Sequence, residues 1–283
     1  MDISVLRFFE SIRSGFLDGL FSFFTFFGEE TFIVLAIMTL YFSVNKKLGE
    51  FMAFTVFTSA TVNGILKDSV KRLRPFEKGV VSQADGSDYI NTELHESYSF
   101  PSGHSQVSAS FFSGVFIFTK NKLLKAVSVA AVIAVMASRI YLGVHYLSDV
   151  AVGAAIGVVS SLMWYYVFKK IPHLRCRIFL AFSVLSLISL IFIKSPDTYK
   201  ALGAGLGAAI GILLENKYVR FEIPDKFTHK LLRVAAGAAI IVGLRLLLKV
   251  IFPEGLIFTF FRFMLLMFIM TFIYPAAFKK LGL

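Results

Sequence analysis

The chain has 283 residues, of which 57% are hydrophobic, 16% aromatic and only 17% charged. These values are typical of an integral membrane protein, and the continuous rather than alternating apolar runs argue against a β-barrel. A formal net charge of +11 could suggest nucleic acid as a partner. However, the lysines and arginines lie mostly in short loops between apolar runs, as membrane topology and contact with anionic lipids require. We therefore expect anionic lipids, and no nucleic acid, as partners.

The N-terminal segment and a series of apolar runs define the expected architecture. Residues 1–27 are predicted to form one amphipathic helix on the membrane surface, with an apolar face made of Val5, Phe8, Phe9, Ile12 and Phe16. The later runs are long enough to cross a bilayer core of about 30 Å as helices. The predicted fold is an all-α polytopic transmembrane bundle of about nine spans, at residues 31–44, 48–66, 102–119, 123–140, 146–168, 176–194, 200–215, 230–251 and 257–275.

A hinge at Ser195-Pro196-Asp197 divides the spans. We expect an interfacial helix at 1–30, a transmembrane core at 31–194 and a C-terminal transmembrane extension at 195–283. With nine spans, the most basic loops all fall on one side, which the positive-inside rule makes cytoplasmic. The N-terminus and the loop 67–101 are then outside, and the chain is expected in a bacterial plasma membrane.

Glycines repeat at four-residue spacing in two of the spans, an arrangement that lets helices pack closely. They are Gly153 and Gly157 in one span, and Gly203, Gly207 and Gly211 in another. Such faces pack within one subunit or form the seam of a homodimer, and the sequence leaves both open.

The first polar cluster closes the second span, with Lys67 and Arg74 seven residues apart. Two helical turns would place them on one face, and Pro75 would then stop the helix. Basic residues at a helix end commonly attract lipid headgroups, which is one interpretation of Lys71, Arg72 and Lys78. Because the cluster lies on the side expected to be poor in basic residues, we favour a functional role for Lys67 and Arg74.

The second cluster, Phe100-Pro101-Ser102-Gly103-His104-Ser105, opens the third span. Pro and Ser are favourable at helix starts, and the free N–H groups of a helix N-terminus bind anions. Gly103 lets an anion approach the main chain, Ser102 offers a hydroxyl, and His104 can deliver a proton to a leaving oxygen.

The third cluster contains Ser138, Arg139, His145 and Asp149 within otherwise apolar sequence. If the chain is helical from His145, the Asp149 carboxylate reaches one ring nitrogen and leaves the other free to act as nucleophile or base. A pair of this kind is more often a structural contact. Arg139 keeps its charge and needs an anionic partner near membrane depth, for which a phosphoryl group is suitable.

Together these clusters carry a family resemblance. Lys67-x6-Arg74-Pro75, Pro101-Ser102-Gly103-His104 and Ser138-Arg139-x5-His145-x3-Asp149 resemble the three signature motifs of the type 2 phosphatidic acid phosphatase and vanadium haloperoxidase superfamily. The resemblance covers roughly residues 30–170 and implies a six-helix-type phosphatase core. Residues from about 195 onward show no family feature.

The resemblance also implies a role for each motif residue. Lys67, Arg74 and Arg139, with Ser102 and the Gly103 amide, would hold the phosphoryl oxygens. His145 would attack phosphorus to form a phosphohistidine, Asp149 would orient it, and His104 would protonate the departing oxygen. Fixed cations can supply the charge stabilisation that phosphoryl transfer requires.

We expect neither metal nor cofactor. The single cysteine, Cys176, excludes a multi-cysteine metal site. Acidic and histidine side chains of the outer loop match no ligand pattern, and lid formation or headgroup selection is a second interpretation of them; they are Asp85, Asp88, Glu93, His95 and Glu96.

The expected function is hydrolysis of the terminal phosphate of a lipid phosphate at the outer leaflet. Undecaprenyl pyrophosphate, phosphatidic acid and phosphatidylglycerol phosphate all fit the motifs. The alternatives are a haloperoxidase and a lipid-phosphate binding or transport protein.

The C-terminal extension carries charges in or near its apolar spans, at Arg245, Lys249 and Arg262. We expect the extension to tune the choice of substrate rather than perform the chemistry.

Overall fold

The computed structural model describes residues 2–84 and 98–283, which fold as helices joined by loops. The helices are α1 (Asp2–Ser11), α2 (Gly15–Phe26), α3 (Glu30–Thr39), α4 (Lys46–Val70), α5 (Gly103–Phe118), α6 (Lys122–Tyr141), α7 (Leu147–Lys170), α8 (Arg175–Ser186), α9 (Pro196–Leu214), α10 (Phe227–Ile251), α11 (Leu256–Phe268) and α12 (Tyr274–Lys280). Single π-helical turns continue α3, α9 and α11, and 3₁₀ turns flank α8. The described residues contain no strand, so the all-α prediction is confirmed.

Every predicted span coincides with a helix of the described chain. By length and composition alone, five stretches are suited to cross a membrane: α6, α7, Pro172–Ile191, α10 and Leu256–Lys280. A sixth arises if α2 and the segment Glu30–Val44, which meet at a bend of 42°, count as one span. Of the described helices that coincide with predicted spans, α4, α5 and α9 do not meet these criteria of length and hydropathy. The first two carry polar residues of the site described below, so the count of about nine spans stays a prediction.

The chain divides into two compact units. One comprises Met1–Ile33 and Val62–Leu162, and the other Val34–Thr61 and Met163–Leu283. The three polar clusters of the sequence all lie in the first unit. The domain boundaries expected near residues 30 and 194 stay predictions.

The N-terminal segment differs from the single helix expected over residues 1–27. It forms α1 and α2, because the Ser14 side chain accepts a hydrogen bond from the Leu17 N–H and starts a new helix. Leu6 is the buried residue of α1 and packs with Val81 and Ile140, whereas three members of the predicted apolar face are exposed: Phe8, Ile12 and Phe16. A buried Leu6 means that α1 is docked on protein in the first unit.

The glycine repeats pack inside the chain. A Cβ on Gly157 would lie 2.3 Å from the Gln106 carbonyl oxygen of α5, and a Cβ on Gly207 would lie 2.1 Å from the Met264 carbonyl oxygen of α11. Gly203 meets the Phe260 carbonyl of α11 in the same way. The chain's own helices thus pack against these faces, and a homodimer through the glycine-rich helices stays a prediction.

The contact at Gly207 makes a stability prediction. Gly207→Ala should destabilise the purified protein in detergent by about 1–3 kcal/mol, since α9 and α11 would have to separate. The matched control is Gly243→Ala, where a Cβ meets nothing within 4 Å. That change should be neutral or stabilise α10 by up to about 1 kcal/mol. Equal unfolding midpoints for the two variants would contradict this packing.

Candidate active site

The first cluster lies where α4 ends. Helix α4 stops at Val70, and Lys71 adopts the left-handed conformation with φ 52°. Arg74 therefore lies beyond the helix, and the expectation that Lys67 and Arg74 share a helical face up to Pro75 is wrong. The loop positions Arg74 instead: its backbone N–H donates to Glu77 Oε2 (2.7 Å), and its Nη1 donates to the Val144 carbonyl oxygen (3.1 Å).

The second cluster forms the N-terminus of α5, as predicted. Ser102 is the N-cap, and its hydroxyl accepts from the Ser105 N–H at 3.4 Å. The Ser102 N–H donates to the Asp149 carbonyl oxygen (3.1 Å), which joins the second cluster to the third. The Asn63 side-chain amide donates to the Pro101 carbonyl oxygen (3.1 Å) and to Gln106 Oε1 (2.9 Å). These bonds fix a helix N-terminus, with Gly103 and His104 in its first turn, beside the third cluster.

The third cluster departs from the expected geometry. Helix α7 begins at Leu147, so His145 precedes the helix. The His145 Nδ1 lies 3.7 Å from Asp149 Oδ2, which is too long for a hydrogen bond. Ser99 lies between them: its Oγ donates to Asp149 Oδ2 in a short bond and lies 3.5 Å from His145 Nδ1. The predicted direct bond between Asp149 and His145 is wrong, and a serine bridges the pair.

Three cations surround the two histidines. Arg74 Nη1 lies 3.4 Å from His145 Nε2. Lys67, Arg74 and Arg139 all act electrostatically on both His145 and His104. The structure therefore brings together, in one unit, the residues that the sequence predicted for the site.

Arg139 is placed for an anion. It is 1% exposed, and its Nη1 donates weakly, at 3.5 Å, to Thr25 Oγ1. Its Nε lacks a hydrogen-bond partner within the described part of the chain. A buried, permanently charged group with an unpaired N–H is suited to bind an oxyanion.

His145 lies in the loop between α6 and α7. Burial first, and then the charges of Arg74, Arg139 and Lys67, lower the pKa of His145 well below its ordinary value. The imidazole is therefore neutral at pH 7. With its proton on Nδ1, facing Ser99 and Asp149, the Nε2 lone pair faces the cations, where a bound anion would lie.

Sequence reasoning missed three contacts of this site. Ser99 bridges the histidine and the carboxylate, although it precedes the Pro-Ser-Gly-His motif. Thr25, from α2, contacts Arg139 and donates to Ser138 Oγ at 2.9 Å. Arg72, interpreted as a possible headgroup contact, donates to Asp149 Oδ1 at 2.7 Å. Position along the chain is the one signal available for two of them: Arg72 lies within the Lys67-x6-Arg74 motif, and Ser99 is two residues before Pro101.

Within residues 2–84 and 98–283, no group of three or more His, Cys, Asp or Glu side chains could hold a metal ion. The outer-loop residues considered as ligands lie outside the described residues. The expected metal independence stays a prediction.

Comparison with known proteins identifies the family. Residues 50–172, which include every predicted site residue, match the PAP2 superfamily. Residues 199–283 match the PAP2 superfamily phosphatase, transmembrane extension. The chain belongs to the PAP2 superfamily. The extension, for which the sequence showed no family feature, is thus a recognised part of that superfamily.

Individual relatives extend these matches. Phosphatidylglycerophosphatase B of Bacillus subtilis (strain 168) is 29% identical over 178 residues, covering 58% of this chain and 81% of that protein. A lipid A 1-phosphatase of Rhizobium johnstonii is 32% identical over 127 residues, covering 44% of this chain and 49% of that protein. The crystal structure of the first transmembrane PAP2-type phosphatidylglycerolphosphate phosphatase from Bacillus subtilis aligns with a TM-score of 0.49 at 23% identity, over 60% of this chain and 85% of that one. At the level of the family, the prediction of a membrane lipid phosphatase is confirmed.

The serine bridge makes a catalytic prediction. Ser99→Ala should lower kcat about tenfold, the effect of losing one buried hydrogen bond of about 1.4 kcal/mol. KM should change little, because Ser99 contacts His145 and Asp149 rather than the three cations. Phosphate release from a short-chain phosphatidate in detergent micelles measures both constants.

The matched control is Ser108→Ala, another buried serine, whose hydroxyl donates to the Ser105 carbonyl of its own helix. It should leave kcat within about twofold of the wild type, since only a local helix bond is lost. An equal loss of kcat in Ser99→Ala and Ser108→Ala would show that the serine bridge has no specific role in catalysis.

Proposed function

We propose that this PAP2-superfamily protein hydrolyses the terminal phosphate of a lipid phosphate or diphosphate through a phosphohistidine on His145. The observation that carries the proposal is the placement of the His145 ring. Its Nε2 lies 3.4 Å from the Arg74 guanidinium, and its Nδ1 faces Ser99 and Asp149. A neutral ring held from one side presents its lone pair toward a cationic pocket.

Substrate binding would use the cations. Lys67, Arg74 and Arg139, with the N-terminus of α5 at Ser102 and Gly103, would hold the phosphoryl oxygens. The Arg139 Nε has no hydrogen-bond partner among the described residues, so a bound phosphoryl oxygen would satisfy this buried donor. These groups also stabilise the charge that spreads over the equatorial oxygens in the transition state.

Chemistry would proceed in two displacements. His145 Nε2 forms a bond to phosphorus as the bond from phosphorus to the lipid oxygen breaks. His104, which takes up a proton once the bound phosphate anion offsets the neighbouring cations, gives that oxygen its proton. Asp149 offsets the positive charge that the phosphorylated ring acquires. His104, now neutral, takes a proton from water, whose oxygen attacks phosphorus and releases phosphate and His145.

A lipid substrate is supported by the apolar spans and by the relatives. One relative is named for phosphatidylglycerophosphate and another for lipid A, so a phosphate on a membrane lipid is the chemistry they share. Undecaprenyl pyrophosphate and phosphatidic acid offer the same group. Phosphate release from a panel of these lipids by the purified protein selects the substrate.

Replacing the proposed nucleophile tests this function. His145→Ala should lower phosphate release at least about a thousandfold, because the attacking nitrogen is removed rather than a binding contact. The matched control is His173→Ala, since His173 is exposed in the 3₁₀ turn before α8. That variant should keep wild-type activity, and activity of both the wild type and the control should survive a chelator.

Two results would contradict the proposal. Multiple turnover by His145→Ala would exclude the phosphohistidine route. Loss of wild-type activity on chelation, restored by a divalent cation, would overturn the metal-free assignment. Binding of lipid phosphate without turnover would favour the binding or transport alternative instead.

We also propose that the site faces outward from a bacterial plasma membrane. The support is the distribution of basic residues, which are dense in the loops expected to be cytoplasmic: Lys46 and Lys47; Lys120, Lys122 and Lys125; Lys169, Lys170, Arg175 and Arg177; Lys217, Arg220, Lys226 and Lys230; Lys279 and Lys280. Both relatives described above are bacterial proteins.

Cysteine labelling measures the orientation. Ser87, at the centre of the outer loop, lies outside the described residues, so Lys78 serves in its place; Lys78 and Lys122 are both exposed. In a Cys176→Ser background, Lys78→Cys should react with a membrane-impermeant maleimide in intact cells and Lys122→Cys should react only after lysis. The reverse pattern would place the chemistry on the cytoplasmic side.

A further inference from the structure

The Asp149 carboxylate accepts hydrogen bonds from three groups other than His145. Its Oδ2 accepts from Ser99 Oγ and from the Tyr146 N–H at 2.9 Å, and its Oδ1 accepts from Arg72 Nη1 at 2.7 Å. Asp149 is fully buried, so a charged partner offsets much of the cost of its desolvation. Arg72 is a cation in direct contact with this carboxylate, and it lies outside the group proposed to hold phosphate.

Arg72 is itself fixed on several sides. Its Nη1 also donates to Ser148 Oγ at 2.8 Å, and its Nη2 donates to Asp2 Oδ2 at 3.2 Å. The guanidinium lies 3.8 Å above the centre of the Tyr146 ring. The Arg72 guanidinium therefore makes two kinds of contact. Its N–H groups join the carboxylates of Asp2 and Asp149, and its plane stacks on the Tyr146 ring.

Asp2 comes from α1, far away in sequence. Its carboxylate accepts from the Ser148 N–H at 3.3 Å and from Ser148 Oγ at 2.6 Å, so it reaches the N-terminus of α7. Burial alone would raise the pKa of Asp2, but the hydrogen bonds from Ser148 and Arg72 outweigh it and lower that pKa below its ordinary value. Asp2 is therefore ionised at neutral pH and can pair with Arg72.

The backbone links Arg72 to the serine bridge as well. The Ser99 N–H donates to the Arg72 carbonyl oxygen at 2.8 Å. Arg72 thus contacts the two neighbours of His145, through its side chain for Asp149 and through its main chain for Ser99.

We propose that Arg72, held in place by Asp2, is a positioning residue for the phosphatase reaction: it fixes the Asp149 carboxylate so that Oδ2 faces Ser99 and His145. This rests on the function proposed above. The N-terminal helix α1 is then part of the catalytic frame through Asp2. The ordinary alternative is an ion pair that serves only folding, and the two differ in their effects on kcat.

The experiment is a double-mutant cycle with Arg72→Met, Asp2→Asn and the double variant, assayed for kcat, KM and unfolding temperature on a short-chain lipid phosphate. Arg72→Met should lower kcat about 30-fold and leave KM within about threefold, since the three phosphate-binding cations are intact. Arg72→Lys should recover only part of kcat, because an ammonium cannot bridge Asp2, Ser148 and Asp149 at once.

Asp2 should act only through Arg72. Asp2→Asn should lower kcat about fivefold in the wild-type background and less than about twofold in the Arg72→Met background, a coupling typical of residues in contact. Glu10→Gln is the matched control in α1: Glu10 accepts from Ser82 and does not belong to this network. It should leave kcat unchanged while testing the docking of α1.

The outcomes separate the possibilities. Arg72→Met with wild-type kcat, or additive losses in the cycle, would overturn the proposal. The proposal would also be overturned if kcat fell in every variant, Glu10→Gln included, only in proportion to the loss in unfolding temperature. If Arg72→Met does not fold, Arg72→Lys and Asp2→Asn still show whether kcat changes without KM.

The His145→Ala variant in the same assay tests the proposed function itself. If His145→Ala is inactive while Arg72→Met is unaffected, only this inference fails. If the wild type releases no phosphate, both proposals fail.

Discussion

The local structure of the first unit depends on one electrostatic constraint, which is the burial of three cations beside two histidines. Arg139 is 1% exposed and Arg74 is 3% exposed, and an arginine cannot shed its charge to escape that cost. Positive charge concentrated in this way is compensated when an anion binds, which is why the site suits a phosphoryl group and its transition state. Burial, together with the charges of these cations, lowers the pKa of His145 and keeps it neutral. Under the proposed function, the cations that would bind the phosphate therefore also help to leave the attacking nitrogen unprotonated.

The surrounding helices fix the positions of these charged residues and of the groups beside them. Gly153 and Gly157 let α7 pack against the start of α5, which brings the Ser102 N-terminus to Asp149. The N-terminal helices contribute from the other side: Arg13 donates to the Tyr141 carbonyl oxygen at 2.9 Å, and Thr25 contacts Arg139. The N-terminal segment, expected to lie on the membrane surface, thus supports the loop that carries His145.

The sequence predicted the all-helical fold and the three polar clusters that the structure brings into one unit, because hydropathy and motif spacing are local properties. It failed where the backbone left the helix. Helix α4 ends at Val70, before Pro75 could stop it, and α7 begins after His145, so both predictions of a shared helical face were wrong. Ser99 and Arg72 were missed because their roles depend on contacts with Asp149, 50 and 77 residues away, which no periodicity records. The close approach of the glycine faces was predicted, but the choice of partner helix is a tertiary property.

The central claim is that His145 becomes covalently phosphorylated, and trapping that intermediate tests it most directly. Purified protein is mixed with a lipid phosphate that carries a radiolabelled terminal phosphoryl group and quenched in alkali, which preserves a phosphohistidine while phosphoserine and acyl phosphates are lost. The account predicts label on the peptide that contains His145, in an amount that approaches one per active site when water attack limits turnover. Turnover at the wild-type rate with no label on His145, or label on another residue, would contradict it.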